Sequence, residues 1–392
     1  MLKKRIVIPA LLLILLFLIP GSIFCDVLSF SPSDRFKITE KYNLRKRVNG
    51  SYKSYVYRET SGNLLLQDNG NFSGNFYILE ERTENTRTAQ RLDNVVPVAF
   101  RLTPDGSYII SIDNGYPRLR GYPKLPFKDV DPGEKWRDYS EIIVDPKRNN
   151  VTTKVQIYCE YKYLGPAEYG GEEGYSIEAM YAVRYSHGDD PGGDPDLLKI
   201  SGSHKVSIFL AETGTIFMRD NMDEEYRFRD GETISYTGFV LTWLGSFKPM
   251  DRNLLVKQLK ETLTETQTEE VDVSPGAEGV SLTLQKIHFK PDEAVILPGE
   301  ENRLDVIASV LKKIPDRTFL VVGHTADVGS YESQYILSVD RARAITDEFV
   351  RRGMEPGRFI YEGRAGTEPV AENTTEEGRS QNRRVEIIIL ED

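Results

Sequence analysis

Two stretches near the C-terminus carry side chains suited to binding an amino-acid head group. The first is a glycine-bounded loop at residues 323–329 (GHTADVG), which contains Thr325 and Asp327. The second contains Arg341, in the sequence LSVDRA. An amino-acid head group carries an ammonium, which needs an anion, and a carboxylate, which a guanidinium matches well. Flanking glycines let the backbone approach such a ligand closely. From spacing alone, an ordinary surface or interdomain ion pair is favoured for Arg341, with a binding site as the alternative. No Ser-His-Asp, Cys-His or phosphate-loop pattern that would indicate catalysis accompanies these residues.

The elements that must position these residues follow from hydrophobic periodicity. Residues 298–313 and 330–352 repeat apolar side chains every three or four positions, which predicts two amphipathic helices. Short apolar runs predict strands at residues 319–323, 359–363 and 385–390. With a strand before the first helix, the order β-α-β-α-β-β places two helices on one sheet, which is an α/β sandwich.

Four motifs in this region resemble the OmpA-like peptidoglycan-binding domain. They are IHF at 287–289, the loop at 323–329, LSVDRA at 337–342 and GRSQNRRVE at 378–386. The resemblance covers about residues 270–392. It implies a periplasmic, non-enzymatic module that grips the diaminopimelate of the peptidoglycan stem peptide and so ties an envelope protein to the cell wall.

The resemblance also implies a set of peptidoglycan-binding residues. Arg341 is expected to hold the stem-peptide carboxylate and Asp327 its ammonium, while the other members shape the loop or brace it through a polar network. The complete candidate set is Gly323, Thr325, Asp327, Arg341 and Asn382.

One position departs from the family pattern. The family has Asp directly after Gly-His-Thr, whereas this chain has Ala326 there and a carboxylate one place later, at Asp327. Adjacent side chains usually point in different directions, and a charge-assisted hydrogen bond contributes roughly 1.5–3 kcal/mol. Two outcomes stay open: Asp327 rescues the site through a shifted loop, or the domain keeps its fold with altered or lost wall binding.

The chain before residue 250 is almost wholly β in its pattern. Runs that alternate apolar and polar residues are separated by Gly, Pro, Asn and Asp clusters, which is typical of antiparallel strands with one buried face. The predicted strands are residues 51–58, 75–80, 107–113, 152–163, 175–185, 204–210 and 233–244. We therefore predict an all-β domain over residues 26–248, either an antiparallel sandwich or a curved half-barrel. A helical connector at 249–269 would join it to the OmpA-like domain at 270–392.

The first 25 residues predict export from the cytoplasm. The basic start, KKR at 3–5, precedes an apolar run over residues 6–19, which is the pattern of a signal peptide, with an uncleaved anchor as the alternative. Of the two cysteines in the chain, Cys159 then remains after cleavage. It lies in an alternating strand pattern, so we predict a buried and unreactive thiol.

The charge balance limits the classes of partner. With 50 basic and 60 acidic residues, the chain has a formal net charge of −10, which argues against binding of nucleic acid or an anionic membrane. The four histidines lack metal-ligand spacing, so no metal or cofactor is predicted. His324 is predicted to be structural, with a ring nitrogen bonded to backbone.

These expectations combine into one functional hypothesis and one alternative. We expect a non-enzymatic, exported protein of the bacterial cell envelope, in the periplasm or associated with the outer membrane. Its C-terminal domain would associate with the peptidoglycan stem peptide and position the β domain, with an unidentified ligand or protein partner, at the wall. In the alternative, the OmpA-like domain is a scaffold that has lost wall binding, and the β domain binds a lipid or a protein in the periplasm or at the surface.

Overall fold

The structure is a computed structural model of the chain. It describes residues 26–30, 32–84, 88–103, 105–126, 128–266, 268, 270–276, 278–285, 287–290, 292–314 and 316–392. The predicted signal peptide at 1–25 lies outside these residues. Within the described part, no helix has both the length and the apolar character needed to cross a membrane.

The N-terminal part of the chain is a long series of strands, most of which join in one antiparallel sheet. The strands are β1 (Asp26–Val27), β2 (Arg35–Val48), β3 (Ser51–Leu66), β4 (Phe72–Leu79), β5 (Gln90–Leu102), β6 (Tyr108–Ile110), β7 (Leu119–Arg120), β8 (Asp129–Val130), β9 (Lys135–Val144), β10 (Thr153–Tyr169), β11 (Glu172–Ser186), β12 (Leu197–Ala211), β13 (Ile216–Phe228) and β14 (Thr233–Ser246). Their order across the sheet is β7-β9-β10-β11-β12-β13-β14-β2-β3-β4-β5-β6, and β1 pairs separately with β8. No ladder between described residues joins β6 to β7, so the sheet is open there.

Alternating burial explains why these segments form long strands. In β10, Val155, Ile157, Cys159 and Tyr161 are buried while the residues between them are more exposed. Burial of one face removes apolar surface from water and fixes the register, because a slip by one residue would expose the whole row. Burial also raises the pKa of the Cys159 thiol to about 11, which confirms the predicted unreactive cysteine.

The sheet curls so that its inward residues meet in one hydrophobic core. Residues from β2 through β14 share this core, including Phe36 and Phe100. The segment between β7 and β8 runs through the interior, where the ring centroid of Tyr122 lies 5.7 Å from that of Tyr161 and 5.5 Å from that of Tyr181. The N-terminal domain is therefore all-β, as predicted, and of the two predicted forms it is the curved half-barrel.

Several strands of the N-terminal domain do not show apolar–polar alternation in the sequence. Besides the two-residue strands β1, β7 and β8, the strands that the pattern does not identify are β2, β5, β9 and β13. In two of them charged side chains point inward, because Glu40 of β2 and Glu224 of β13 are buried. In a sequence pattern, a charged residue is interpreted as a surface position. A strand whose buried face carries a carboxylate therefore lacks the apolar–polar alternation that predicts a strand.

The C-terminal part is an α/β sandwich. Its strands are β15 (Val271–Pro275), β16 (Gly279–Leu284), β17 (Phe319–Gly323), β18 (Phe359–Gly363) and β19 (Val385–Leu390). Its helices are α1 (Arg252–Glu265), α2 (Glu301–Lys312), α3 (Tyr331–Arg351) and α4 (Glu376–Asn382), and a 3₁₀ turn spans Pro356–Arg358. The sheet order is β15-β16-β19-β17-β18, with β17 and β18 parallel. The predicted β-α-β-α-β-β order is confirmed, with β15 and the short helix α4 in addition.

Side-chain caps and buried faces define the helices of this domain. Asp251, Ser330 and Thr375 cap α1, α3 and α4 by accepting hydrogen bonds from backbone N–H groups of the first turn. Ile307 of α2 and Phe349 of α3 are fully buried in the second hydrophobic core. Helix α1 packs into the same core, so the predicted connector is part of the C-terminal body.

The two parts of the chain share an interface of their own. Strand β18 extends its parallel pairing to β5, where Ile360 lies opposite Gln90. Glu278 accepts hydrogen bonds from Asn75 at 3.1 Å and from Tyr77 at 3.2 Å. A third hydrophobic cluster fills the contact and contains Tyr77, Leu79, Leu92, Leu320, Val322, Ile360, Ile388 and Leu390. Packing, and not the connecting segment alone, therefore holds the half-barrel against the α/β domain.

Candidate functional site

A cavity of about 760 Å³ lies beside the N-terminal half of α3. The loop after β17, the segment that follows β16 and helix α4 form its other walls. The charged residues that line it are Asp292, Arg341, Glu376, Arg379 and Arg383. It thus collects side chains from all four motifs that the sequence singled out. The strand before the IHF motif ends earlier, at Leu284.

Arg341 is the buried cation of this cavity. Its residue is only 6% exposed, its Nε donates to the carbonyl oxygen of Glu293 at 3.3 Å, and its guanidinium lies over the Phe289 ring, 5.0 Å from the centroid. Burial lowers the pKa of Arg341, and the charge of Arg383 lowers it further, while Asp292 opposes both. No described carboxylate forms an ion pair with this guanidinium, so its charge is available to an anionic ligand.

Two residues of the loop after β17 face the same cavity. Thr325 and Ala326 both line it, and both are buried. The Thr325 hydroxyl oxygen has no hydrogen-bond partner among the described residues, although the backbone N–H of Thr325 donates to the carbonyl oxygen of Ala365 at 2.9 Å. A buried hydroxyl without a partner is a group that a ligand can satisfy.

Asp327 lies on the other side of this loop, outside the cavity lining. Its carboxylate accepts a hydrogen bond from Gln334 Nε2 at 3.2 Å, and its backbone N–H donates to Asn373 Oδ1 at 3.2 Å. The adjacent Ala326 faces inward, as expected for neighbouring side chains in extended backbone. The loop therefore presents a methyl group to the cavity and its carboxylate to solvent.

Gly323 serves the packing of helix on strand. An ideal Cβ at this position would lie 2.0 Å from the carbonyl oxygen of Ser338 in α3, and one at Gly363 would lie 2.2 Å from the Ser338 hydroxyl. The two glycines end parallel strands, so α3 can cross both strand ends at backbone distance. This close approach sets the position of α3 and hence of Arg341 relative to the loop.

Asn382 is completely buried at the end of α4 and does not line the cavity. Its Oδ1 accepts from the backbone N–H groups of Val370 at 2.8 Å and Ala371 at 3.0 Å. Its Nδ2 donates to the Ala371 carbonyl at 2.8 Å and to Asn373 Oδ1 at 2.9 Å. Since Asn373 also holds the backbone of Asp327, Asn382 positions the loop through one intermediate residue.

The remaining charges are residues that the sequence did not single out for binding. Glu376 pairs with Arg379 at 2.9 Å and with Arg383 at 2.5 Å, so one carboxylate serves two cations on α4. Asp292 has no described ion-pair partner, and its charge acts on Arg341. The cavity therefore holds three cations and two carboxylates. Among the described residues, no group of acidic, histidine or cysteine side chains is suited to hold a metal ion.

His324 is buried beside the cavity and is neutral. Burial, with the charges of Arg384 and Arg364, lowers the pKa of His324 to about 3. The predicted hydrogen bond between its ring and the backbone is wrong, since neither ring nitrogen has a hydrogen-bond partner in the described structure. Glu386 Oε1 is 3.4 Å from Nε2, but this carboxylate is hydrogen-bonded to Arg384 at 2.7 Å.

Comparisons with known proteins agree with this architecture. Residues 288–383 match the model of the OmpA family. The chain is 31% identical over 120 residues to the "Probable lipoprotein YiaD" of Escherichia coli (strain K12), covering 30% of this chain and 55% of that protein. It is 36% identical over 103 residues to the "Peptidoglycan-binding protein ArfA" of Mycobacterium tuberculosis (strain ATCC 25618 / H37Rv), covering 26% of this chain and 32% of that protein.

A solved structure gives a similar coverage. The cell wall anchor of the T6SS from Pseudomonas aeruginosa is 30% identical, covering 34% of this chain and 97% of that chain, with a TM-score of 0.31. The chain spans about half the length of the first curated relative and about a third of the second. The family match includes the loop after β17, Arg341 and Asn382. The C-terminal third of this chain therefore contains an OmpA-family domain, at residues 288–383.

Proposed function

We propose that the C-terminal domain associates with peptidoglycan and positions the half-barrel at the wall, in the periplasm or at the outer membrane of the cell envelope. The role is structural, without a catalytic step. The family match supports this, as does the name of the relative ArfA, a peptidoglycan-binding protein. The observation that carries the proposal is the Arg341 guanidinium, which is buried in a cavity without an ion-pair partner among the described residues.

The stem-peptide carboxylate is the group that Arg341 would hold. A guanidinium offers paired N–H donors that match the two oxygens of a carboxylate. The contact to Glu293 uses Nε, which leaves the two terminal nitrogens for a ligand. Thr325 would add its unpaired hydroxyl to the same ligand, while Gly323 and Asn382 would act by positioning α3 and the loop.

The ammonium of the ligand needs a different carboxylate from the one at Asp327. Asp327 is bonded to Gln334 outside the cavity, and Ala326 occupies the inward position. Asp292 lines the cavity, is exposed, and has no described cation as partner. We assign the ammonium to Asp292, which belongs to the segment between β16 and α2 and lines the same cavity as Arg341.

The alternative is a scaffold that has lost wall binding, with the half-barrel binding a lipid or a protein. Ala326 favours this alternative, because it removes the carboxylate that the family pattern places in the loop. The two proposals differ in one measurable property: only the first requires the chain to bind peptidoglycan through Arg341.

Cosedimentation of residues 26–392 with purified peptidoglycan tests the proposal. We expect the chain to pellet with the wall and Arg341→Ala to weaken binding by about 10- to 150-fold, which corresponds to a loss of about 1.5–3 kcal/mol. The matched control is Arg343→Ala, since this neighbouring arginine has a side chain 64% exposed and pairs only with Asp347, at 3.8 Å. Arg343→Ala should pellet like the wild type.

The same assay separates the two proposals through two further variants. Asp292→Asn should weaken binding if Asp292 holds the ammonium. If the wild type stays in the supernatant and Ala326→Asp alone pellets, the domain has lost the function and the scaffold alternative is correct. Equal pelleting of wild type and Arg341→Ala would contradict the site assignment.

A further inference from the structure

The interior of the half-barrel contains a second cavity, which the proposed function does not use. Its volume is about 120 Å³, enough for about four water molecules at roughly 30 Å³ each. Side chains from β2, β3, β9, β11, β12, β13 and β14 line it, and the segment around β7 closes one side. Arg58 and Arg118 at its edge are 18% and 19% exposed in their side chains, whereas that of Glu224, deeper inside, is 4% exposed.

Carboxylates dominate the deep end of this cavity. His204 lies between two of them, with Nδ1 2.8 Å from Asp220 Oδ2 and Nε2 3.0 Å from Glu224 Oε1. Burial alone would lower the pKa of His204, but its hydrogen bonds to the two carboxylates outweigh burial and raise the pKa to about 9. One imidazolium thus faces two carboxylates, which leaves one negative charge.

A third carboxyl group, Glu40, lies in the same cavity, and burial raises its pKa. Its Oε2 accepts hydrogen bonds from Tyr42 at 2.9 Å and from Thr60 at 3.0 Å, both of them neutral donors. The two arginines at the edge are offset by other acids, since Arg118 lies 3.7 Å from Asp145 and Arg58 lies 3.8 Å from Glu81. The lining therefore has four carboxyl groups, Glu40, Asp145, Asp220 and Glu224, against two arginines and the His204 imidazolium.

Two buried oxygen atoms in the cavity wall lack hydrogen-bond partners among the described residues. They are Asp220 Oδ1, whose sister oxygen is bonded to His204 and to Tyr181, and the hydroxyl of Tyr122, a residue only 4% exposed. A buried polar atom without a hydrogen-bond partner lowers the stability of the fold, and an ionised carboxylate oxygen can be satisfied only by a hydrogen-bond donor. An apolar or anionic occupant would leave Asp220 Oδ1 unsatisfied.

The walls between these polar atoms are aromatic. Tyr42, Tyr122, Tyr181, Tyr226 and Tyr236 all line the cavity. Aromatic faces attract cations, and the attraction is stronger where water is excluded. The unpaired acceptor and the aromatic walls favour a cationic group at the deep end. At the edge, two buried donors, Arg58 Nε and Arg118 Nη1, lack partners among the described residues, so the charged end of the ligand lies at the deep end.

We infer that this cavity binds a small organic ammonium compound, with the ammonium donating to Asp220 Oδ1 and held between Asp220 and Tyr122. The volume limits the ligand to about five non-hydrogen atoms, since a cavity of roughly 150 Å³ holds benzene. The less exposed end of the cavity takes the charged group, and the edge at Arg58 and Arg118 is the point of entry. The inference concerns the half-barrel alone and does not depend on wall binding by the C-terminal domain.

Isothermal titration of residues 26–392 with n-butylammonium chloride tests the inference, with 1-butanol as its neutral counterpart. We expect saturable binding of the ammonium and at least tenfold weaker binding of the alcohol. Asp220→Asn should weaken ammonium binding at least tenfold, and Tyr122→Phe severalfold. Asp223→Asn is the matched control, because Asp223 is an exposed neighbour on the same strand, and it should bind like the wild type.

Circular dichroism shows whether each variant is folded. If Asp220→Asn does not fold, the affinity of Tyr122→Phe, which lacks only one hydroxyl, tests whether the ammonium binds in this cavity. Three results would overturn the inference. They are equal affinity for the alcohol and the ammonium, unchanged ammonium affinity in folded variants, and no saturable binding by the folded wild type. The last would mean that the cavity holds ordered water only.

Discussion

The two cavities of this molecule use charge in opposite ways. In the C-terminal cavity three arginines face two carboxylates, and buried Arg341 has no described ion-pair partner. In the half-barrel cavity carboxylates prevail, and buried Asp220 Oδ1 has no described donor. A chain with a net charge of −10 therefore contains one site suited to an anionic group and one suited to a cation. The side chains that face a cavity, and not the net charge, decide which ligand it attracts.

The two histidines buried beside these cavities show the same contrast. His204 is held between two carboxylates and is protonated, whereas His324 lies among arginines and is neutral.

Replacing His204 by leucine should destabilise the half-barrel by about 3–5 kcal/mol, because it leaves Asp220 and Glu224 buried without their shared cation. Urea unfolding followed by the fluorescence of Trp136 and Trp243, which both lie in the half-barrel, measures the loss. The exposed His187→Leu is the control and should unfold like the wild type. An unchanged midpoint for His204→Leu would show that the imidazolium does not bind the two carboxylates together.

The stability of the two domains should depend on pH in opposite directions. The pKa of His204 is raised to about 9 in the folded state, above its unfolded value near 6.5. Its contribution is therefore full below pH 6.5 and is lost as pH rises through 9, with a magnitude on the order of 3 kcal/mol. The pKa of His324 is lowered to about 3, so its contribution is present above pH 6.5 and is lost as pH falls toward 3.

Free energies of unfolding measured from pH 4 to pH 10 check this opposition. The difference in the free energy of unfolding between wild type and His204→Leu should shrink as pH rises from 6.5 to 9 and should stay small at higher pH. Pulse proteolysis with peptide mapping at pH 4 and pH 7 should show the C-terminal domain weakening at the lower pH, and His324→Phe should reduce that weakening. A His204→Leu difference that is constant across the range would contradict the raised pKa.

Gly323→Ala should destabilise the C-terminal domain by about 1–3 kcal/mol, because the new methyl group would overlap the Ser338 carbonyl of α3. Gly357→Ala is a suitable control, since no atom lies within 4 Å of a Cβ built there. Thermal unfolding of the two variants measures the difference. Similar melting temperatures would mean that α3 moves away from β17 at little cost, and Arg341 would move with it.

The smallest expected effect is that of Asp327→Ala. Its carboxylate is bonded to Gln334 outside the cavity, so binding to peptidoglycan should change by less than about twofold, a difference below 0.5 kcal/mol. Cosedimentation beside Asp292→Asn makes the comparison. A strong loss for Asp327→Ala would show that the loop turns its carboxylate inward when it binds.

The sequence is far more informative for one cavity than for the other, and the physical reason is locality. The C-terminal site is built at the ends of short elements, so a loop of seven residues and an arginine on the next helix mark it. The bounds of β17, β18 and β19 follow directly from apolar runs. The sequence does not identify Asp292 as a site residue, because Asp292 lies in an irregular segment without hydrophobic periodicity.

The half-barrel cavity has no comparable signature. Its acidic groups, Glu40, Asp145, Asp220 and Glu224, are scattered over about 180 residues and meet only because the sheet curls. In the sequence each of these residues resembles a solvent-exposed charge. The buried ones interrupt the apolar–polar alternation by which their strands would be identified. Long-range pairing between strands, which local periodicity does not encode, creates the site.

The most direct test of the central claim is calorimetric titration of residues 26–392 with a diaminopimelate-containing stem peptide, beside the same peptide with its free carboxylate amidated. If Arg341 holds that carboxylate, amidation should weaken binding by the wild type more than tenfold and have no further effect on Arg341→Ala. Equal affinity of the wild type for both peptides would contradict the account.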